Sequence, residues 1–241
     1  MQQRPVKAAT IGTKCFFALI GAAALCIMTV ATASAASIKG TVQFAGGAVP
    51  QKKLAVTVDQ YVCGKEKEAD VLVLSPQRGI RNAVVWLESP TPGAKREGPA
   101  PVVQMDQKLC VFTPRVVVVP VGGTVEFLNS DHLLHNLHTV TRENPSVNRA
   151  QPRGRTIPVI FSKPEIIRVT CDLHPWMLGW VVVTDHPFHA VTGVEGEFTL
   201  NNVPPGKYTL HVWQESLGTV AKEVMVSSGD VANVTVEMTR K

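Results

Sequence analysis

Short runs rich in valine, isoleucine and threonine recur along the chain from residue 36 onward, and glycine, proline, asparagine or aspartate bound them. Examples are SIKGTVQF, NAVVWLE, RVVVVP, TVEFLN, WVVVTD and KYTLHVW. Short segments of branched residues between turn residues predict β-strands, and few segments show a helical period. Their regular spacing predicts an all-β protein built from β-sandwiches.

The first 35 residues have a different pattern. Basic residues come first, an apolar run follows over residues 15–30, and the small-residue site Ala33-Ser34-Ala35 comes next. This order is that of a secretory signal peptide. The apolar run is shorter than the ~20 residues of a spanning helix, which disfavours the alternative of an uncleaved membrane anchor. We therefore expect a signal peptide over residues 1–35 and a periplasmic or secreted mature protein that does not span a membrane.

Two breaks in composition divide the remaining sequence. Residues 89–101 are rich in proline and glycine and predict a loop or linker, and residues 185–196 lack a clear strand pattern. The breaks indicate N-terminal strands over residues 36–98, a central domain over 99–187 and a C-terminal sandwich segment over 188–241. This division predicts two packed sandwiches.

Charge gives little reason to expect nucleic acid as a partner. The full chain has a net charge of +5, but the predicted signal peptide contains three of the 24 basic residues and none of the 19 acidic ones. The remaining chain therefore has a net charge of +2, with no basic cluster interleaved with aromatics. The sequence also shows no G-x-S-x-G segment and no glycine-rich phosphate loop, so we expect no enzymatic activity.

The cysteines point to one unusual loop. Cys15 and Cys26 belong to the predicted signal peptide, which leaves Cys63, Cys110 and Cys171. In an oxidising compartment two of these should pair, and we expect a disulfide between Cys63 and Cys110. Cys171, in the loop CDLHPWMLGW, is then left over, and a bound metal ion would hold its thiolate and protect it from oxidation.

Cys171, His174 and Met177 follow one another at three-residue intervals in this loop. Thiolate and imidazole are ligands that soft transition metals prefer, and methionine is a common weak axial ligand of copper. The spacing allows all three side chains to turn towards one centre. Copper sites of one common type use two histidines, one cysteine and one methionine as ligands. The loop supplies all of these except one histidine.

The missing histidine must come from elsewhere, and the segment FLNSDHLLHNLHTV contains His132, His135 and His138. In an extended segment side chains alternate between faces, so His132 and His138 share a face and His135 lies on the other. The site needs only one histidine from this segment, and His135 is the one that lies alone on its face. Asn136 could hydrogen-bond to the Cys171 loop and hold the two ligand segments together.

The segments LHNLH and CDLHPWM together resemble the amicyanin-like cupredoxins over roughly residues 100–185. The resemblance implies a Greek-key β-sandwich that binds one type 1 copper ion. The implied ligands are His135, Cys171, His174 and Met177, with non-ligand roles favoured for His132 and His138. Asp172 and Leu173 stand where the family loop has threonine and proline, so the hydrogen bonding around the sulfur is left open.

The same resemblance implies that His174 faces solvent and acts as the electron port. Pro175 and Trp176 would then lie in an apolar docking surface for a redox partner, although Trp176 fits a place in the core equally well. The expected partner is a periplasmic protein, either a cytochrome or a dehydrogenase.

The last third contains GEFTLNNVPPGKYTLHVW, which resembles the carboxypeptidase-regulatory-like (transthyretin-like) sandwich. The segments IKGTVQF and NAVVWLE resemble the first strand and a core strand of the same family. The resemblance implies one such sandwich, split into residues 36–98 and 188–241, with the copper domain inserted between its halves. In the alternative, residues 36–98 extend the inserted domain.

The sequence therefore predicts a periplasmic electron-transfer protein that cycles between Cu(II) and Cu(I). Three alternatives stay open at this level. One is a copper sequestration or delivery protein without redox turnover, and another is a structural zinc site. The third is a structural or carbohydrate-associated module whose copper site is degenerate.

Overall fold

The computed structural model describes residues 36–50, 52–69, 71–88, 98–185 and 187–240, so the predicted signal peptide lies outside the described residues. Within these ranges the chain is almost entirely β-structure, which confirms the all-β class. No helix among the described residues is long and apolar enough to cross a membrane.

The elements follow one another with short connections, and a single turn of helix interrupts the strands near the beginning. In chain order they are β1 (Ala36–Phe44), β2 (Lys53–Ala55), α1 (Gln60–Cys63), β3 (Glu66–Glu68), β4 (Val84–Glu88), β5 (Val102–Lys108), β6 (Val111–Thr113), β7 (Val116–Pro120), β8 (Thr124–Asn129), β9 (His135–Val140), β10 (Asn148–Gln151), β11 (Ile157–Ile160), β12 (Glu165–Thr170), β13 (Leu178–Thr184), β14 (His189–Val191), β15 (Glu197–Val203), β16 (Gly206–Gln214), β17 (Gly218–Val226) and β18 (Val231–Met238).

A central sandwich consists of two sheets with strand orders β10-β9-β12-β13-β7 and β11-β8-β5-β6. Alternating burial along β8 places Val125 and Phe127 in the core between them, as period-2 patterning requires. The valine run of β13 is buried on both faces instead. Val181 and Val183 pack in this core, and Val182 packs on the opposite side against a second sandwich.

The second sandwich, here named the outer sandwich, contains sheets ordered β15-β1-β18 and β14-β4-β16-β17. Strand β1 pairs with β15 and β18, and β4 pairs with β14 and β16, so strands that precede the central sandwich pair with strands that follow it. Ile38, Leu87 and Leu210 are fully buried in its core. These pairings favour the split sandwich, whereas the division at residues 98 and 187 stays a prediction.

The candidate site lies at one end of the central sandwich. His135 is the first residue of β9, which pairs with β12, and the loop CDLHPWM connects β12 to β13. The β2–α1–β3 segment, residues 53–68, reaches the same end, where the disulfide Cys63–Cys110 attaches it to the turn between β5 and β6. Four separate parts of the chain therefore meet there.

Candidate metal centre

Three metal-binding side chains converge at this end of the sandwich. The Nδ1 atoms of His135 and His174 are 3.0 Å apart. The Sγ atom of Cys171 lies 3.9 Å from Nδ1 of His135 and 3.4 Å from Nδ1 of His174. All three residues are buried, and together they form a group that could hold a metal ion.

The spacing of the three donor atoms fits a first-row transition metal. A point equidistant from the three atoms lies about 2.0 Å from each, close to a usual metal–nitrogen bond and a little below the roughly 2.3 Å of a metal–sulfur bond. Two imidazoles and a thiolate form a donor set that suits copper and zinc. The residues present therefore fit the predicted copper ion.

Met177 ends the loop that contains two of these donors. The His174 backbone N–H donates to the carbonyl of Cys171 at 3.3 Å, and the Met177 N–H donates to the carbonyl of His174 at 2.9 Å. These two turns fold the loop back on itself, and the Met177 side chain is buried in the same core cluster as Cys171. Binding of the ion by the Met177 thioether stays a prediction.

Asn136 connects the two segments that supply the ligands. Its backbone N–H donates to Sγ of Cys171 at 3.3 Å, and its side-chain oxygen accepts from the N–H of Asp172 at 3.1 Å. Burial raises the pKa of the Cys171 thiol, against the backbone hydrogen bonds from Asn136, Leu173 and His174, which lower it. Metal binding must therefore displace the thiol proton.

The other two histidines of the segment lie outside the centre. His132 is exposed in the turn before β9. His138 lies on the face of β9 opposite to His135, and its Nδ1 is 2.9 Å from the carboxylate of Asp172. The structure thus brings only His135 of this segment to Cys171 and His174.

Two carboxylates that the sequence did not reveal hold the far nitrogens of both candidate ligands. Oδ2 of Asp131 is 2.8 Å from Nε2 of His135, and Oδ2 of Asp59 is 3.0 Å from Nε2 of His174. An imidazole that donates from Nε2 keeps the lone pair of Nδ1 free for a metal. Burial lowers the pKa of His135, although the hydrogen bond with Asp131 opposes this, so the neutral ring is favoured.

Their positions in the sequence explain why both were missed. Asp131 lies four residues before His135, and this local spacing was the one available signal. Asp59 is 115 positions away from His174, in a different part of the chain, and no pattern in the sequence connects them.

The disulfide links the backbone of Asp59 to the backbone N–H group that binds the Asp131 carboxylate. The structure joins Cys63 to Cys110, the pair expected from the cysteine count. The Cys110 N–H donates to Asp131 at 2.8 Å, and the Cys63 N–H donates to the carbonyl of Asp59 at 2.9 Å. Cys110 also lies near His135, but its sulfur is in the disulfide and is unavailable as a thiolate ligand.

His174 does not face solvent, so the expectation of a solvent-facing ligand is wrong. Its role as the electron port stays a prediction. Its side chain is 0% exposed, because Asp59 covers Nε2 and the Trp176 ring packs with its centroid 5.2 Å from the imidazole centroid. Trp176 is partly buried against the core and donates its indole N–H to the Cys110 carbonyl at 3.1 Å. Pro175 is exposed. A docking role for Pro175 and Trp176 stays a prediction.

Comparison with protein families gives one match. Residues 180–239 match the carboxypeptidase regulatory-like domain. No curated protein sequence matches the chain.

Solved structures that are similar to part of this chain include a copper enzyme and cupredoxins. A Cu-containing nitrite reductase (NirK) from Thermus scotoductus SA-01 is 28% identical, with a TM-score of 0.33 over 40% of this chain. The chain spans only 25% of that enzyme. A purple cupredoxin from Nitrosopumilus maritimus is 22% identical over 34% of this chain and 99% of its own, with a TM-score of 0.30.

A reduced Cu(I) form of amicyanin is 24% identical over 41% of this chain and 97% of its own, with a TM-score of 0.32. The predicted resemblance to a carboxypeptidase regulatory-like domain is thus confirmed over residues 180–239. The similarity to cupredoxins extends over 34% to 41% of this chain. Likenesses of this strength assign no function to individual residues.

Proposed function

We propose that this chain is a periplasmic electron-transfer protein that binds one type 1 copper ion. The observation that supports it is the buried triangle of Cys171 Sγ and the two Nδ1 atoms of His135 and His174, with both far nitrogens on carboxylates. When bound, copper supplies one-electron exchange between Cu(II) and Cu(I). Met177, buried at the end of the loop, would hold the ion weakly through its thioether sulfur.

The surroundings of the three donors favour a rigid site. Each imidazole is oriented from behind by a carboxylate, and the thiol accepts a hydrogen bond from the backbone N–H of Asn136. Donors held in this way move little when the charge at the centre changes, so little reorganisation accompanies electron exchange. Burial of the ligands also disfavours delivery of the ion by direct exchange with another protein.

The partner that we propose is a periplasmic redox protein, either a cytochrome or a dehydrogenase. Export to the periplasm is proposed from the signal-peptide pattern of residues 1–35. Redox encounters of this kind use small, transient interfaces. No nucleic acid is proposed as a partner, because the net charge outside the signal peptide is close to zero.

The visible and EPR spectra of the purified protein with one equivalent of Cu(II) test the copper site. We expect an intense thiolate-to-copper band and a narrow copper hyperfine splitting. Cys171→Ser and His135→Ala should lose this band, whereas His138→Ala, a histidine of the same strand outside the centre, should keep it. A pale wild-type spectrum with ordinary hyperfine splitting would refute thiolate ligation.

Electron transfer needs a separate measurement, because a copper delivery protein could show the same band. Stopped-flow mixing of the Cu(II) protein with a reduced periplasmic cytochrome should bleach the band, with the rate depending on the cytochrome concentration. A protein that keeps its band in this mixture and binds Cu(I) very tightly would fit copper sequestration or delivery instead.

A further inference from the structure

We infer that Asp59 is a positioning residue of the copper centre, and that residues 53–68, here named the cap segment, close the His174 edge to direct electron exchange. This inference rests on the proposed copper function and adds a residue that belongs to none of the strands of the central sandwich. It also explains how a ligand that was expected at the surface is fully buried.

The local structure around Asp59 shows that its carboxylate is directed away from its own helix. Asp59 precedes α1 at the N-cap position, where an aspartate side chain ordinarily accepts a hydrogen bond from the first turn. Asp59 makes no such side-chain bond and has a left-handed backbone with φ of 50°. Its carboxylate instead lies 3.0 Å from Nε2 of His174. The Asp59 carboxylate therefore does not stabilise the first turn of α1 and contacts the candidate ligand His174 instead.

Hydrogen bonds on both sides of Asp59 fix its backbone. The carbonyl of Asp59 accepts from the N–H groups of Val62 at 3.0 Å and Cys63 at 2.9 Å. The side chain of Gln60 donates to the carbonyl of Val56 at 2.7 Å, and Val56 is itself buried in the central core.

Two further connections attach the cap segment to the ligand-bearing sandwich. One is the disulfide Cys63–Cys110, and the other is the hydrogen bond from Nζ of Lys67 to the carbonyl of Leu109 at 2.6 Å. The cap segment is thus attached to the central sandwich at Val56, at the disulfide of Cys63 and at Lys67. Asp59 is therefore part of the permanent surroundings of His174.

The chemistry of the contact predicts two separable effects. The negative charge of Asp59 beside the imidazole stabilises the more positive oxidation state of the centre, so loss of the charge should raise the reduction potential. The side chain also covers the ring edge, so loss of its bulk should admit small redox molecules. Asp59→Asn removes the charge but keeps an acceptor oxygen, whereas Asp59→Ala removes both.

The test compares these two variants with a control variant at another contact between a carboxylate and an imidazole. Glu88 lies 3.0 Å from Nε2 of His211 in the outer sandwich, far along the chain from the candidate ligands. Glu88→Ala therefore removes the same kind of contact outside the centre. The measurements are the reduction potential and the rate of electron exchange with hexaammineruthenium and with hexacyanoferrate.

We expect a raised potential in both Asp59 variants and no change in Glu88→Ala. Exchange with both probes should be several times faster in Asp59→Ala, and the acceleration should be smaller in Asp59→Asn. Unchanged potential and unchanged exchange rates in Asp59→Ala would overturn the inference. If Asp59→Ala does not fold, Asp59→Asn decides the question through the potential alone.

A measurement on the metal-free protein separates this inference from the copper function. Nitrogen-15 NMR of the His174 ring should show the proton on Nε2 in the wild type, in Asp59→Asn and in Glu88→Ala. Asp59→Ala should lose this single tautomer, and a ring that keeps it would contradict a positioning role. The result is independent of copper, so a wild type without a thiolate-to-copper band would refute the proposed function but leave this test valid.

Discussion

The guanidinium of Arg115 donates two hydrogen bonds to the carboxylate of Glu215, from Nε at 2.6 Å and from Nη2 at 3.0 Å. Arg115 directly precedes β7 of the central sandwich, and Glu215 directly follows β16 of the outer one. The indole N–H of Trp180 donates to the same carboxylate at 3.0 Å. Because Nη1 of Arg115 also lies 3.4 Å from the carbonyl of Leu178, this pair connects the outer sandwich to the strand that leaves the ligand loop.

Loss of one member of this pair should destabilise the protein strongly. Both side chains are largely buried, at 14% and 5% exposure. Glu215→Ala would leave the Arg115 charge without its partner, and we expect the free energy of unfolding to fall by about 3–5 kcal/mol. Arg115→Met combined with Glu215→Leu should cost less than the single variant. Urea unfolding measures both, and a loss below ~1 kcal/mol in Glu215→Ala would contradict the argument.

Asp131 should control metal affinity through His135. Asp131→Asn replaces an acceptor oxygen by an amide that cannot satisfy all of its present donors, the N–H groups of Leu109 and Cys110 and Nε2 of His135. We expect metal affinity to fall by about 10- to 100-fold. Competition with a chromophoric chelator measures this affinity.

A matched control for Asp131 is available on the neighbouring strand. Asp106→Asn alters a carboxylate that accepts from the backbone N–H and the hydroxyl of Ser130, and both bonds are exposed. This variant should bind the metal like the wild type. Equal losses of affinity in the two variants would show that the effect is not specific to the contact with His135.

Removal of the disulfide should act on stability and on the centre together. The bridge joins residues 47 positions apart, and a loop of this length predicts a loss of about 4 kcal/mol in the free energy of unfolding of Cys63→Ala/Cys110→Ala. Since the bridge fastens the cap segment, His174 should also become more accessible to small probes. Cys171→Ser, which leaves the bridge intact, should unfold close to the wild type in the absence of metal. A double variant as stable as the wild type would refute the predicted role.

Glu165 should make stability depend on pH. Burial by itself raises the pKa of Glu165, but hydrogen bonds from the Asn144 side chain and from the backbone N–H groups of Arg142, Asn144 and Glu143 outweigh it and lower the pKa below 4.5. A group whose pKa is lower in the folded state stabilises the protein above its unfolded pKa. This contribution is lost as the pH falls through the folded pKa.

The pH dependence can be isolated by substitution. Glu165→Gln should destabilise the protein at neutral pH, and its difference from the wild type should shrink as the pH falls below about 4.5. Urea unfolding at a series of pH values measures this difference. Glu143→Gln is the control and should show little change, because the exposed Glu143 side chain pairs with Lys163 at 3.4 Å and does not touch the Glu165 carboxylate. A constant difference at all pH values would rule out ionisation as the cause.

Much of the fold and part of the site follow from local patterns in the sequence. Period-2 alternation marks β8, and the unbroken valine run marks β13 as buried on both faces, because each pattern reflects which side of one strand meets apolar neighbours. The metal-binding role of the loop with Cys171, His174 and Met177 could likewise be predicted, since donors three residues apart in one turn are close in any compact conformation. Alternation along β9 also separated His135 from His138.

The tertiary structure alone decided what surrounds those donors. The contact of Asp59 with His174 joins residues 115 positions apart through a left-handed turn and a disulfide-linked segment. Such a contact has no periodicity and no fixed spacing, because it depends on how separately folded parts of the chain pack. For the same reason the resemblance to cupredoxins implied His174 at the surface, whereas the packing of the cap segment and Trp176 buries it.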